Sequence, residues 1–319
     1  MMKTVFLNAT KLDFDQKLDF SSVQALTDLT NYDDTSNEQI LERVQGQTVV
    51  ITKEMPVGKD VISQFPDSVK LICEAGTGYN NIDIVAAREK GISVCNIPSY
   101  STVAVAQLAM TFVLNLSASL PQQQSMLGRK DFSNFTKFLQ VPHFEVAGKT
   151  LGVIGAGAIG RESIKIGVAL GMNVLVYDPF PKEWTEGNVK NASLEDVLRQ
   201  SDFITLHCPL MDSTRQIINK ERIALMKPTA YIVNTSRGAL IKEDDLVEAL
   251  QQGRLAGAAL DVQDPEPPAL DNPLFAMDNV IMTPHIGWRR YESRQRLVDL
   301  IAANIKAFID GKAVNVVNK

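Results

Sequence analysis

The chain has 319 residues, too many for one ordinary core, so two domains of about 100 to 200 residues each are expected. With 45% hydrophobic and 22% charged residues and a net charge of -5, it has no electrostatic reason to bind nucleic acid or an anionic membrane, and small molecules become the partners to look for. Cys73, Cys95 and Cys208 form no C-x-x-C pair and no histidine cluster, which speaks against a structural zinc site, predicts no bound metal and fits a reducing compartment.

The N-terminal stretch MMKTVFLNAT lacks the apolar region of a signal peptide. The greasiest run, residues 103 to 120, is interrupted by Gln107, Thr111 and Asn115 and is too polar to span a bilayer, which takes roughly 20 apolar residues. A cytoplasmic protein without membrane contacts is expected. Over the first hundred residues, the short runs TVFLN, VVITK, VKLIC and ISVCN alternate with helix-like segments such as NEQILERVQ and NIDIVAAREKG, the pattern of βα units on a parallel sheet.

From residue 150 the alternation restarts, with TLGVI, NVLVY, FITLH, AYIVN, AGAAL and NVIM as six candidate strands and helical segments between them. Six nearly continuous apolar strands match a full doubly wound dinucleotide fold. At the C-terminus Leu297, Leu300, Ile301, Ile305 and Phe308 share one helical face, with Gly311 placed as its cap. Too short to be a domain, this tail is expected to return to the N-terminal domain. The expected fold is therefore α/β, with two Rossmann-like doubly wound parallel-sheet domains and a cleft between them. The outer, substrate-binding domain is discontinuous, 1–98 and 288–319, and the nucleotide-binding domain covers 99–287. Residues 121 to 148 have no clear periodicity and read as a partner-facing arm or a loop over the core.

The stretch GAGAIG follows the strand LGVI and opens a helix near Ala158. A lone G-x-G-x-x-G is weak evidence, but strand, motif and helix in this order are the context it requires. Gly155 serves the tight turn, Gly157 the approach of a pyrophosphate, and Gly160 the packing of helix on strand, with the phosphate over the helix N-terminus. Asp178 ends the next strand, VLVYD, where a carboxylate holds a ribose 2′-OH and repels a 2′-phosphate, favouring NAD over NADP. An aspartate that merely caps the turn before Pro179 is equally compatible with that position.

Ligands of open α/β sheets bind beyond the carboxyl ends of the strands. There stand His207 after FITL, Thr235 and Arg237 after AYIV, Asp261 after AGAAL with Glu266 further along its loop, and His285 after NVIM. A guanidinium grips a carboxylate with two parallel hydrogen bonds, and a histidine held by a carboxylate suits proton transfer near neutral pH. Taken singly, Arg237 reads as a surface ion pair, Glu266 as a solvated turn residue, His207 as a lining residue and His143 as exposed. Their succession on the strand ends of one nucleotide fold favours a site. In the N-terminal domain Gly76, Thr77 and Gly78 of EAGTGYNNID offer bare backbone N–H groups to an anion, or form a simple strand-to-helix turn.

Together the stretches GTGYNNID, NIPSYSTVAVAQ, GKTLGVIGAGAIG, HCPL, NTSRGAL, AGAALDVQDPEP and TPHIGW resemble the D-isomer-specific 2-hydroxyacid dehydrogenase family over nearly the whole length. The resemblance implies that Arg237 binds the substrate carboxylate and carbonyl, that His285 is the acid/base, and that Glu266 pairs with it. It implies an NAD site lined by Gly155, Gly157, Ala158, Ile159, Gly160, Asp178, His207, Pro209, Thr214, Thr235, Asp261, His285 and Gly287. Ala158 stands where a longer, often basic residue is common, and the segment around 131 to 145 matches the family poorly. Trp288 after HIG, and Gln107, look most like the glycerate dehydrogenase and hydroxypyruvate reductase branch, which implies reduction of hydroxypyruvate or glyoxylate, Trp288 at the substrate, and a homodimer. A D-lactate-type or branched 2-hydroxyacid dehydrogenase, a formate-type dehydrogenase and an NADH-sensing corepressor-like protein are the alternatives.

Overall fold

The computed structural model describes residues 2–319 and divides the chain into two compact units, one running to Ser101 and resuming at Trp288–Lys319, the other Thr102–Gly287. The segment around Tyr100 stays with the first unit because its ring is buried in that unit's core and its carbonyl accepts from Arg296 Nη1 at 2.6 Å.

The first unit carries a five-stranded parallel sheet of β1 (Lys3–Phe6), β2 (Asp28–Asn31), β3 (Val49–Thr52), β4 (Leu71–Glu74) and β5 (Ser93–Cys95), in the order β2-β1-β3-β4-β5. β3 and β4 are buried along their whole length because apolar clusters cover both faces of the sheet. The strand order reverses between β1 and β3, the place where open α/β sheets build ligand sites. The C-terminal helix Tyr291–Ile309 packs here through Leu297, Val298, Ile301 and Ile305, and Gly311, at φ 72°, ends it with its N–H on the Phe308 carbonyl.

The second unit holds seven parallel strands, β6 (Thr150–Ile154), β7 (Asn173–Tyr177), β8 (Val189–Asn191), β9 (Phe203–Leu206), β10 (Tyr231–Asn234), β11 (Gly257–Leu260) and β12 (Val280–Met282), ordered β12-β11-β10-β9-β6-β7-β8. Its sheet also lies between two apolar clusters. The glycine-rich turn after β6 opens the helix Ala158–Ala169, whose close neighbour is the helix Thr102–Ala118.

Two strands escape the apolar pattern, β2 and β8. Both are short sheet edges with mostly exposed polar residues, so the sheet's hydrogen bonds and not burial define them, and the second sheet has seven strands where six are legible in the sequence. The segment 121 to 148 also contains more order than its composition suggests. A helix, Leu120–Gly128, is tied to the unit by Arg129, which donates from both Nη atoms to Asp278 at 3.0 and 2.6 Å, and by Ser125 Oγ at 2.9 Å.

No single helix among the described residues is long and apolar enough to cross a membrane, and the pair Thr102–Ala118 and Leu120–Gly128, which passes such a test only jointly, is bent by 59°. The apolar residues of Thr102–Ala118 are mostly spent on the unit's own core.

Candidate active site

Because all seven strands of the second unit run parallel, the residues that follow β6, β9, β10, β11 and β12 emerge at one edge of the sheet. His285 follows β12 in the left-handed region, at φ 51°, with its N–H directed to the carbonyls of Asp261 (2.9 Å) and Thr283 (3.0 Å). A β-carbon in that region is strained by about 1–3 kcal/mol, a cost found where the surroundings hold a residue for its side chain. The fixing group is Asp261, buried at the end of β11. Its Oδ1 accepts from Thr283 Oγ1 (2.5 Å) and the Ile286 N–H (2.8 Å), and its Oδ2 accepts from the Gly287 N–H (2.9 Å). A Cβ on Gly287 would lie 3.0 Å from Asp261 Oδ2, so a side chain there would crowd the carboxylate.

The His285 ring meets Glu266, with Nδ1 2.9 Å from Oε2, while Glu266 Oε1 accepts the Gln263 N–H at 2.9 Å. Burial pushes the Glu266 carboxyl up, but the hydrogen bonds from His285 and Gln263 and the charges of His285 and Arg237 outweigh it and hold it below the ordinary carboxylate range. Arg237, exposed after β10, is thus within electrostatic reach of the pair. Its loop is locked against the Glu266 loop at Gly238, where a Cβ would fall 2.1 Å from the Gln263 carbonyl. Asn234 and Ser236 complete the lock, the first donating to the Arg237 carbonyl at 2.9 Å and the second to the Cys208 carbonyl at 2.8 Å.

At the glycine turn the three glycines differ. Gly155, at φ 99°, lies against the backbone of His207 and Cys208, and a Cβ on Gly160 would meet the Gly155 carbonyl at 2.0 Å, so the chain itself demands both. Nothing lies within 4 Å of a Cβ on Gly157, which caps the helix Ala158–Ala169 without a side-chain hydrogen bond. Asp178 Oδ2 accepts the Ala156 N–H at 2.6 Å and Oδ1 the Phe180 N–H at 2.9 Å, which ties the end of β7 to this turn. His207 leaves a buried Nδ1 without a partner, with Nε2 3.0 Å from Thr205 Oγ1, and burial lowers its pKa to about 4. Thr235 Oγ1 is likewise buried and unpartnered.

Residues 110–287 match the family described as D-isomer specific 2-hydroxyacid dehydrogenase, NAD binding domain, and the chain is 40% identical to the hydroxypyruvate reductase of Blautia hydrogenotrophica over 308 residues, 95% of each protein. The chain belongs to the D-isomer specific 2-hydroxyacid dehydrogenase family. It is also 37% identical to the glycerate dehydrogenase of Methylorubrum extorquens over 284 residues, 88% of each protein. In three dimensions it is similar to a D-2-hydroxyisocaproate dehydrogenase, with a TM-score of 0.89 at 26% identity, covering 99% of this chain and 100% of that one.

The family's NAD fits the residues present. Of the three turn glycines only Gly157 gains nothing inside the chain from lacking a side chain, and the open space over a bare helix N-terminus is what a pyrophosphate needs. The unpartnered His207 Nδ1 and Thr235 Oγ1 leave polar groups for a ligand to satisfy. Thr214, by contrast, spends its hydroxyl on its own loop, donating towards the Pro209 carbonyl (2.6 Å) and accepting the Met211 N–H (2.8 Å), so it shapes the loop around Pro209. His143 is exposed, near the Ala118 carbonyl.

The remaining sequence-identified residues belong to the first unit. No N–H of Gly76, Thr77 or Gly78 donates within the described chain. The following helix, Ile84–Glu89, is capped by Asp83, so these three amides precede its N-terminus and are not part of it. Trp288 is only 5% exposed, packed in the unit's core with Lys53 Nζ 4.0 Å from its ring centre. Three residues beside it have no counterpart among the sequence-derived candidates: Lys53, Glu54 and Glu74. The one signal was a charged pair directly after the wholly buried strand VVIT.

Proposed function

We propose that this chain is an NAD-dependent reductase of small 2-oxo acids to D-2-hydroxy acids, acting on hydroxypyruvate and glyoxylate. The observation that carries this reading is the His285–Glu266 pair at 2.9 Å within the field of Arg237, on the same sheet edge as the glycine turn. Bound NADH supplies a hydride for C2 of the substrate. Arg237 grips the carboxylate and polarises the C2 carbonyl with paired N–H donors. His285 has Nδ1 committed to Glu266, which leaves Nε2 to give its proton to the oxygen that gains charge as C2 is reduced. Glu266 stabilises the imidazolium before that transfer and orients the ring during it. The amides of Gly76, Thr77 and Gly78, in the first unit, are suited to an anion, and Asp178 takes the adenosine ribose. The names of relatives that reduce hydroxypyruvate or oxidise glycerate support the choice of substrate.

Oxidation of NADH with hydroxypyruvate, glyoxylate, pyruvate and branched 2-oxo acids, product chirality included, tests this. Turnover of the first two to D-products is expected, and a chain that oxidises NADH with none of the four is not this enzyme.

The same reading includes a homodimer in the cytoplasm. Phe132, Phe135, Phe138 and Leu139 are all exposed on the segment after Leu120–Gly128, with Phe138 at 93%, an apolar surface that a second copy would cover. The three buried free thiols suit a reducing compartment. Light scattering should give twice the chain mass, and Phe135→Glu with Phe138→Glu should give one chain mass; a monomeric parent chain refutes the assembly.

A further inference from the structure

Two of the three thiols lie side by side in the core of the first unit, where neither serves the hydride or the proton step. Cys73 on β4 and Cys95 on β5 are partners in the register of the two strands, and their Sγ atoms are 3.0 Å apart. Neighbouring strands run about 4.8 Å apart, inside the range of roughly 4.4–6.8 Å over which a disulfide joins two Cα atoms. Both side chains enter the apolar cluster beneath the C-terminal helix. The sulfurs therefore need only approach by about 1 Å to bond, with no change of strand register. At rest the pair is protected. The adjoining Cys95 thiol, together with burial, pushes the Cys73 pKa well above the ordinary thiol range, and the two residues are 0% and 1% exposed. Thiols held protonated react slowly with oxidants, because the thiolate is the nucleophile.

Access to the pair comes from the sheet edge. β5 is the last strand in the order, and residues 315–318 lie along its outer side, with Val316 opposite Cys95 in an antiparallel bridge. The Val317 N–H donates to the Val94 carbonyl at 2.9 Å. Asn318 Oδ1 accepts the Val94 N–H at 2.9 Å, and its Nδ2 donates to the Ile92 carbonyl at 2.8 Å. A short strap held by a few hydrogen bonds opens at lower cost than a strand inside the sheet, and it uncovers Cys95 before Cys73. The residues that follow the two cysteines are joined as well. The Ile97 N–H donates to the Gly76 carbonyl at 2.8 Å, Asn96 Nδ2 to the Thr77 carbonyl at 2.7 Å, and Thr77 Oγ1 to the Ile97 carbonyl at 3.1 Å. Drawing Cys95 towards Cys73 thus acts directly on the turn at Gly76–Gly78.

We propose that Cys73 and Cys95 are a peroxide-responsive dithiol, which closes to a disulfide when the 315–318 strap opens and thereby alters the turn at Gly76–Gly78. With the strap released, the Cys95 sulfur loses its proton to water and attacks hydrogen peroxide. The O–O bond breaks, leaving a sulfenic acid and one water. The Cys73 sulfur then attacks the oxidised sulfur, whose S–O bond breaks as the S–S bond forms, and a second water leaves. Two electrons and two protons pass from the thiols to one peroxide, which becomes two waters. Formation of the bond is independent of the 2-oxo acid reading above, and only its effect on turnover rests on that reading. Cys208 belongs to the other unit and stays a thiol.

The test exposes the folded parent chain, Cys95→Ala and Asn318→Ala to hydrogen peroxide. It follows the thiol count after denaturation, the peptide link by mass, the NADH affinity and KM for hydroxypyruvate, each repeated after dithiothreitol. The parent should fall from three thiols to one through a Cys73–Cys95 link. Its KM should rise by about tenfold as the turn shifts, with NADH affinity unchanged and full recovery on reduction. Cys95→Ala should keep its KM under the same dose, and Cys73→Ala carries that comparison if Cys95→Ala folds poorly. Asn318→Ala loses strap hydrogen bonds and should form the link about tenfold faster. Unlinked cysteines in the treated parent overturn the proposal, and so does a link that leaves KM at its reduced value. Linking of Asn318→Ala at the parent's rate overturns the strap as the gate. A reduced parent that turns over no 2-oxo acid overturns the enzyme reading, while the thiol count and the peptide link still decide the dithiol.

Discussion

Glu266 holds His285 from one side only: Oε2 is 2.9 Å from Nδ1, while Oε1 is bound to the Gln263 amide of the same loop. The carboxylate therefore cannot rotate away without breaking a backbone hydrogen bond, and the ring is presented through Nε2. His285→Gln should lower reduction by about a hundred- to ten-thousandfold while NADH still binds, as followed by its fluorescence. Undiminished turnover in that variant sinks the assignment of the proton donor.

Glu266→Gln tests the pairing separately. It keeps the shape and removes the charge, so kcat at neutral pH should fall roughly ten- to hundredfold. The folded carboxyl is held below its ordinary range, which means that its contribution to stability is fully present above about pH 4.5 and disappears as the pH falls through the lowered folded value. The parent chain should consequently keep this pair throughout the neutral range, and its unfolding midpoint should exceed that of Glu266→Gln there but converge with it in acid. Parallel curves down to pH 3 would show that the carboxylate is not held by its partners.

The glycines of the turn make opposite predictions. Gly157→Ala places a methyl in open space, so the melting temperature should stay within about 2 °C of the parent while the affinity for NADH drops by about tenfold or more. Gly160→Ala drives a methyl into the Gly155 carbonyl and should destabilise the fold by about 1–3 kcal/mol. Equal effects of the two substitutions on NADH affinity and on melting would contradict the idea that only Gly157 is reserved for the cofactor.

Asp178 has two duties, since it ties the Ala156 and Phe180 amides and stands at the expected ribose position. Asp178→Asn retains acceptor capacity for the turn but removes the charge that repels a 2′-phosphate. The ratio of kcat/KM for NADH over NADPH should fall by about tenfold or more, whereas an unaltered ratio assigns Asp178 to the turn alone.

His207 adds a pH dependence of stability in a higher range. Its folded pKa is depressed to about 4 from an ordinary 6.5, so as the pH falls below 6.5 the unfolded chain takes up a proton that the folded chain refuses. Stability should thus be unaffected by this group above pH 6.5 and decline between pH 6.5 and 4, by about 3 kcal/mol at most. Denaturant midpoints of the parent and of His207→Gln measured across that interval should differ in slope, and identical slopes would exclude burial of a neutral imidazole.

The amino-acid order was sufficient for the parallel α/β class, the glycine turn and the residues at the strand ends, because each depends on local pattern: continuous apolar runs where both faces are covered, and polar groups directly after them. The tertiary structure decided the rest. β2 and β8 are edges defined by partners distant in the chain, so no periodicity marks them. The closeness of Glu266 to His285 depends on how two loops fold back, and Asp261 was legible as a site residue but not as the anchor of the histidine loop, which takes three hydrogen bonds from residues 283 to 287. Lys53 and Trp288 are 235 positions apart in the sequence and meet only because the C-terminal helix returns to the first unit. Burial and long-range contact bring the Lys53 ammonium onto the Trp288 ring, and neither is encoded in any short stretch of residues.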